Sequence, residues 1–486
     1  MSNKSYYYLT MSIRIDIKDN THYPLSTENE GVMKWLSDDE KYNTLKKLCA
    51  IELTEESLKQ HKDLIVFPHS FPKTEFYSKQ IQKEKQTLLN LVYEQGVEKI
   101  CTNNVMGFIG YEGIDLNIHS RFDNAGAYND YFIYYMLMRI SHINVSNFKQ
   151  STLSPDDKIL DLLMLLFPRM LNDALSQGLF KRYKTYKYND SRVKGVIDVS
   201  RFIREDIPFT GKVAYHCRQF SYDNEVTQLI RHTIEYIKTH KFGKFVLNSD
   251  KELRSNIRSV IDATPSYAKS NRQRIIKDCS KKLVHPYFTK YIPLQKLCLQ
   301  ILRHEKLCHG VGKQDEIHGI LFDGSWLWEE YVGTLLKEKG FVHSNNNLKE
   351  RGIELFASTP KHVVYPDFYI EPRDGKEGVV LDAKYKRYAE TDEKGKTKRE
   401  VDLKDIYQVM SYMYRLKAKL GGFVCPTTND EDFVSPYEMH EDSFGSDGGK
   451  IVVYGITIPK NSSTFQEFVN SMNETKIEYY VSQQTT

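Results

Sequence analysis

From Val363 to Tyr385 the chain reads VVYPDFYIEPRDGKEGVVLDAKY, two short runs rich in Val, Tyr, Phe and Ile around Pro372-Arg373-Asp374-Gly375. Such runs on either side of a Pro/Gly turn predict a β-hairpin. Pro at the first central position and Gly at the last suit a type I turn. If the hairpin is centred between Asp374 and Gly375, Asp367 lies seven residues before the centre and Asp382 seven after. An antiparallel ladder then sets these carboxylates opposite each other. Directly opposed like charges destabilise a sheet, so the pattern points to a cation between them. Lys384 stands two residues beyond Asp382, and the strand period of two places both on one face.

Helical periodicity brackets the hairpin. Upstream, Ser325–Gly340 (SWLWEEYVGTLLKEKG) predicts a helix closed by Gly340. Glu329 shares a face with Val332 and Leu336, whereas Glu330 aligns with Thr334 and Lys337. Glu329 is therefore expected toward the core, where a carboxylate costs free energy unless it is paired or ligating. Downstream, Asp402–Leu420 (DLKDIYQVMSYMYRLKAKL) predicts a second helix ended by Gly421-Gly422. Ile406, Val409, Met413, Leu416 and Leu420 form its apolar stripe. Gln408 and Tyr412, four apart, lie together beside that stripe.

The rest of the chain sorts into three regions. In residues 1–150, Met11–Ile17, Leu64–Phe67, Val105–Ile109 and Ile114–Ile118 predict strands, and Glu84–Lys99 and Tyr128–Ile143 predict helices. Residues 151–315 are expected to be mainly helical. A helix opens at Ser154-Pro155-Asp156-Asp157, further helices cover Asn224–His240, Lys251–Ile261 and Ile292–His304, and a β-like insert spans Phe180–Tyr188 and Val193–Val199. Gly310–Gln314 and Gly319–Gly324 are loop-like and mark a domain boundary. Residues 316–486 hold the hairpin and its helices, with later strands at Gly422–Cys425 and Lys450–Ile458. Glu390–Glu400 and Asn429–Gly449 are expected as exposed connections. The fold class is α+β multidomain: a mixed α/β N-terminal region, a mainly helical middle region and an α/β C-terminal core.

Composition narrows the function. The chain has 486 residues and a formal net charge of +4, which neither demands nor excludes nucleic acid, because a local basic face decides. Its seven cysteines are scattered, with no C-x-x-C, as in reduced cytosolic proteins. Cys298, His304, Cys308 and His309 offer a zinc site or, more simply, small buried sulfurs at a helix end. No apolar signal core opens the chain and no run is long enough to span a bilayer, so a cytoplasmic protein without membrane attachment is expected. Neither Gly310-Val311-Gly312-Lys313 nor Gly445–Lys450 has P-loop spacing, so nucleotide-driven motion must come from a partner. Lys181–Tyr188 (KRYKTYKY) interleaves cations and aromatics. That composition serves phosphate binding and base stacking, or equally a sheet edge guarded by lysines. The run Arg272, Arg274, Lys277, Lys281 and Lys282 is a solvated helix face or a second nucleic-acid contact.

Pro366-Asp367 followed by Asp382-Ala383-Lys384 resembles the PD-(D/E)xK nuclease signature, and Gln408-x-x-x-Tyr412 resembles the motif of its RecB-like branch. The likeness extends further. Trp328-Glu329-Glu330-Tyr331-Val332 resembles the start of the catalytic domain in the McrC family. Val105–Phe122 with NDYFIYYMLMRI at 129–140 is similar to that family's N-terminal region. Gly178–Tyr183, Arg192–Val199 and Tyr222-Asp223-Asn224-Glu225 are similar to its middle. The chain departs in having Trp328 where Phe is usual, and His119-Ser120-Arg121 where many members read Pro-Lys. The resemblance implies Mg²⁺ held by Asp367, Asp382, Glu329 and the Ala383 carbonyl. Lys384 would act on the attacking water and the phosphate, with Gln408 and Tyr412 positioning it. It also implies a McrB-like AAA+ GTPase or ATPase partner, docked through residues 1–150, and cleavage of double-stranded DNA in a restriction system. Two other readings stay open: a non-catalytic adaptor that stimulates an AAA+ partner and binds DNA, and a RecB-like repair nuclease.

Overall fold

The computed structural model describes residues 13–25, 39–61, 64–68, 87–94, 96–123, 130–143, 158–281, 283–308, 317–344, 350–358, 362–373, 377–391, 397–399, 401–428, 433–438, 440, 449–460 and 462–473. The chain divides into two compact units. One comprises Met1–Ile140, Val145–Gln150 and Gly312–Thr486; the other comprises Ser141–Asn144 and Ser151–Val311.

In the first unit a five-stranded sheet runs in the order Ile13–Lys18, Ile114–His119, Val105–Tyr111, His318–Asp323 and Leu64–Phe67. Residues 319–324, expected as a boundary loop, thus largely form a strand inside this sheet, antiparallel to Val105–Tyr111 and parallel to Leu64–Phe67. The glycines that suggest a loop serve the sheet instead. Gly107 and Gly319 take φ of +139° and +149°, and a Cβ on either would overlap the backbone carbonyl of Ile320 or Phe108 across the ladder. Only glycine reaches that conformation without strain. The segment expected as a helix at 84–99 is also different: Leu89–Glu94 and Val97–Thr102 pair as an antiparallel hairpin. Their alternation carries Leu89 and Ile100 into the core, and Gly96 turns at φ +81°; residues 84–86 lie outside the described set.

The helix Tyr131–Ile140 buries every residue except Arg139, as an all-round apolar helix must. It packs on the helix Gly324–Leu336 through Phe132 on Trp328, with centroids 6.1 Å apart, and Tyr135 on Tyr331, 5.7 Å apart. That second helix is followed by Lys337–Lys339 in a tighter turn, which Gly340 ends in the left-handed conformation.

A six-stranded sheet follows in the order Val342–His343, Phe368–Ile370, Gly378–Ala383, Ala418–Thr427, Lys450–Thr457 and Phe433–Glu438. The hairpin pairs Phe368 with Leu381 and Ile370 with Val379. One step further in that register, Asp367 faces Asp382. The turn residues 374–376 lie outside the described set. The downstream helix is shorter than its periodicity predicts. It spans Leu403–Leu416, Lys417 takes a left-handed conformation, and the strand starts at Ala418. Leu420 therefore belongs to the strand, and Gly421-Gly422 lie within it. A Cβ on Gly421 would strike Met413 and Val409, so glycine here lets the helix lie close on the sheet. The expected exposed connections contain paired strands: Ala389–Thr391 with Thr397–Arg399, and Phe433–Glu438 on Lys450–Thr457.

The second unit packs the helices Lys158–Leu175, Glu225–Ile237, Lys241–Leu247, Lys251–Asp262, Arg272–Asp278 and Tyr291–Cys308 with a three-stranded sheet. Asn224 caps the helix Glu225–Ile237, accepting from the N–H groups of Val226 and Thr227 in a capping box. In the sheet, Val213–Ser221 stands between Arg182–Asp190 and Val196–Ile197. Val213–Ser221 carries His, Cys, Arg and Gln among its apolar residues, so hydrophobic alternation alone does not announce it. Residues 151–157, where a helix start is expected, are outside the described set. Among the described residues no helix is long and apolar enough to cross a membrane.

Candidate active site

Asp323 caps the helix Gly324–Leu336, its carboxylate accepting from the N–H groups of Ser325 at 2.8 Å and Trp326 at 3.2 Å. One turn on, Trp328 is fully buried and donates its indole N–H to the Val424 carbonyl at 2.9 Å. The same carbonyl accepts the backbone N–H of Lys384 at 3.0 Å. One oxygen of the strand Ala418–Thr427 thus fixes both the helix that carries Glu329 and the segment that carries Lys384. Glu329 lies 2.9 Å from His343 Nε2.

The hairpin supplies two more carboxylates. Asp367 accepts the Ala383 N–H at 2.8 Å, and its own carbonyl accepts from the Ser344 N–H at 3.3 Å. The Ser344 hydroxyl donates to the Pro366 carbonyl, so Pro366-Asp367 is clamped at the end of the strand. Asp382 is buried, 2% exposed, with the Lys384 ammonium 2.7 Å from its Oδ2. Asp402 caps the helix Leu403–Leu416 through the Lys404 N–H at 2.9 Å. That helix turns Asp405, Gln408 and Tyr412 to one side. Lys384 donates to Gln408 Oε1 at 3.4 Å, and Gln408 Nε2 donates to the Tyr412 hydroxyl at 2.8 Å. Asp405 sits 3.4 Å from Lys384 and 2.7 Å from Lys386.

These groups act on one another electrically. Burial raises the pKa of Asp367 well above the usual carboxylate value, and the charges of Asp382 and Glu329 raise it further. Glu329 is pushed up to about 8 by burial and by Glu330, Asp382 and Asp323. Burial opposes the Lys384 ammonium, but Asp382, Asp405 and Asp367 outweigh it and hold its pKa above the ordinary lysine value. Three partly or fully buried carboxylates therefore bear on one another, more acid groups than one lysine can balance when all are ionised. An all-oxygen donor set with excess negative charge suits a hard divalent cation such as Mg²⁺.

Glu329, Asp367, Asp382, Ala383, Lys384, Gln408 and Tyr412, singled out from sequence, come together here. Asp405 and His343 join them without having been expected. For Asp405 a signal exists, because it precedes Gln408 by three and shares its helical face. His343 lies on a two-residue strand, which has no periodicity to read.

The other candidates lie elsewhere. Cys298 is fully buried, and burial pushes its thiol up to about 12. The side chains of His304 and Cys308, and residue 309, are outside the described set, as is Lys282. On the strand Arg182–Asp190, Tyr183 stacks on Phe220 at 3.8 Å, with Arg218 over Tyr183 at 5.2 Å and Lys181 over Phe220 at 5.4 Å. Both rings are more than half exposed, 53% and 58%. His119, Asp123 and Asp130 form a separate group with ligand-type atoms within 4.8 Å of one another, but both imidazole nitrogens are already engaged, by Asp130 and Asp16.

Fold and site together define a mixed α/β protein with a buried carboxylate and lysine cluster at the ends of adjacent strands. The model of the family described as McrBC 5-methylcytosine restriction system component matches residues 100–426, more than half of the chain, and the chain belongs to that family. No curated protein matches the chain. Among solved structures, it is similar to a refined half-complex from a tetradecameric assembly of Thermococcus gammatolerans McrB AAA+ hexamers with bound McrC. The identity is 15%, the TM-score 0.46, and the match covers 95% of this chain and 99% of that one. The cryo-EM structure of the Thermococcus gammatolerans McrBC complex matches at 11% identity and a TM-score of 0.32, covering 67% of this chain and 87% of that one.

Proposed function

We propose that this chain is the McrC-type DNA-cleaving subunit of a restriction system, a PD-(D/E)xK nuclease that works with a McrB-like AAA+ GTPase or ATPase. The observation that carries the reading is the convergence of Glu329, Asp367 and Asp382 on Lys384, with Gln408 and Tyr412 behind it. Family membership supports the system and the partner.

Asp367, Asp382 and Glu329, with the Ala383 carbonyl, would hold Mg²⁺. When bound, the cation supplies Lewis-acid activation of water and neutralises charge on the phosphate. The protein's own groups do the rest. The carboxylates around it favour Lys384 as an ammonium, which would donate to a phosphate oxygen and stabilise the charge that builds there. Gln408 accepts a hydrogen bond from Lys384 and is itself fixed by Tyr412, which limits the ammonium to a narrow range of positions. Preorganised charge of this kind is commonly the largest contribution to catalysis. The exposed Tyr183–Phe220 stack, with its cations, is a candidate DNA contact in the middle region.

The test is cleavage of double-stranded DNA by the full chain with Mg²⁺, its AAA+ partner and GTP or ATP, wild type beside Asp382→Asn. Cutting that needs the partner and nucleotide and is lost in the variant supports the reading. Faster nucleotide hydrolysis by the partner without any cutting would replace it with an adaptor.

A further inference from the structure

We propose that Arg121 is a positioning residue for the cleavage reaction, joining the Glu329 helix and the Lys384 segment into one rigid frame. The inference rests on the nuclease reading above and extends it to residues outside the nuclease core.

After Ala383 the chain leaves the sheet in a tight turn, with the Lys386 N–H on the Lys384 carbonyl at 2.9 Å. Tyr385 is buried and held by several contacts, among them its hydroxyl on Met106 Sδ at 3.4 Å. Its hydroxyl lies 2.7 Å from Ser120 Oγ. Its ring meets Phe122 edge-on at 5.0 Å. The Arg121 guanidinium lies over the ring at 4.4 Å, and that guanidinium also donates to the Tyr385 carbonyl. The Arg387 guanidinium closes the loop by donating to the Arg121 carbonyl at 3.0 Å.

Arg121 is 7% exposed and its partner Asp19 0%, with 3.0 Å between the guanidinium and Asp19 Oδ2. A third contact of the guanidinium reaches Asn104 Oδ1 at 3.3 Å. Asn104 in turn donates to Ser325 Oγ at 2.7 Å, and its carbonyl accepts the Gly324 N–H at 2.9 Å. One side chain therefore touches the residue after Lys384 and the residue that holds the start of the Glu329 helix. Gly324 makes the join tight, because a Cβ there would stand 2.7 Å from the Tyr385 ring. A buried ion pair is a poor source of stability, since desolvation offsets most of its attraction. Its value here is geometric. The planar fork of Arg fixes three acceptors at once, which a lysine cannot do.

The decisive variants are Arg121→Lys, which keeps the charge beside Asp19 but loses the fork, and Tyr385→Phe, which removes only the hydroxyl that meets Ser120 and Met106. Single-turnover DNA cleavage is measured with Mg²⁺, the AAA+ partner and nucleotide, after melting curves establish that each variant is folded. A misplacement of about 1 Å costs about 100-fold in rate, so Arg121→Lys should lower the maximal cleavage rate by roughly 10- to 100-fold while the DNA concentration for half-maximal rate changes less than about threefold. Tyr385→Phe should fall between Arg121→Lys and wild type. A folded Arg121→Lys with the wild-type maximal rate overturns the positioning role and leaves the nuclease reading standing. If Arg121→Lys does not fold, Tyr385→Phe decides alone, and an unchanged rate overturns the proposal. A wild-type chain that never cuts overturns both readings.

Discussion

Replacing Glu329 by Gln should stabilise the metal-free protein at high pH while weakening its response to Mg²⁺. The folded pKa of Glu329 is about 8 against an ordinary 4.5. Between those values the folded state holds a proton that the unfolded chain has released, so stability falls as pH rises through the window. Integrated to pH 7, that difference amounts to about 3 kcal/mol. The side chain keeps 30% of its exposure, and solvent screening reduces the realised cost to about 1–3 kcal/mol. Gln at 329 keeps the shape of the protonated acid and does not titrate. Thermal unfolding in EDTA should thus give matching melting temperatures near pH 4.5 and a variant higher by roughly 1–4 °C at pH 8.5. Mg²⁺ held as proposed would bind the folded state alone and raise stability by mass action. It should close that gap by stabilising wild type more than the variant. Parallel pH curves for the two proteins, or a less stable variant at pH 8.5, would refute the claim that these carboxylates crowd one another in the absence of a cation.

Lys384→Ala should lower cleavage by about 100-fold or more with an unchanged melting profile in Mg²⁺, checked by single-turnover assay; rates within a few-fold of wild type would move the active site elsewhere. Gly107→Ala should destabilise by roughly 3 kcal/mol or more, read by urea unfolding, because the new Cβ would overlap the Ile320 carbonyl at a φ of +139°. Trp328→Phe removes the indole N–H from the Val424 carbonyl and should cost about 1–3 kcal/mol, with cleavage reduced in proportion to the loosening of Lys384 on the same carbonyl. Neutralising Lys181, Arg182, Lys184 and Lys187 together should flatten the salt dependence of DNA binding by up to about one slope unit per lost phosphate contact. An unchanged slope would leave that strand as a guarded sheet edge.

The legible parts of this chain are those whose information is local. The hairpin register follows from a turn and two alternating runs, and Phe368 pairs with Leu381 as centring between Asp374 and Gly375 requires. Gln408 and Tyr412 follow from a helical period. What failed was reading glycine as punctuation. Gly319, Gly421 and Gly422 suggest breaks, yet each sits inside a strand where another backbone or helix approaches closely. Whether a glycine ends an element or admits a neighbour depends on residues distant in sequence, which no local window contains. The same blindness hides the frame around the site. Residues 318–323 lie between Val105–Tyr111 and Leu64–Phe67, so residues 1–140 and 312–486 share one compact unit rather than forming a docking domain and a separate catalytic domain. The first and last thirds of the chain are therefore parts of one folded unit. Asp19 and Arg121 from the first hold Tyr385 of the last, while Asn104 holds the start of the helix bearing Glu329. A lysine just past the end of a strand has little of its own core to hold it. Here the missing support comes from residues more than 250 positions upstream, and so a motif read as a self-contained hairpin depends on the sheet at the opposite end of the sequence.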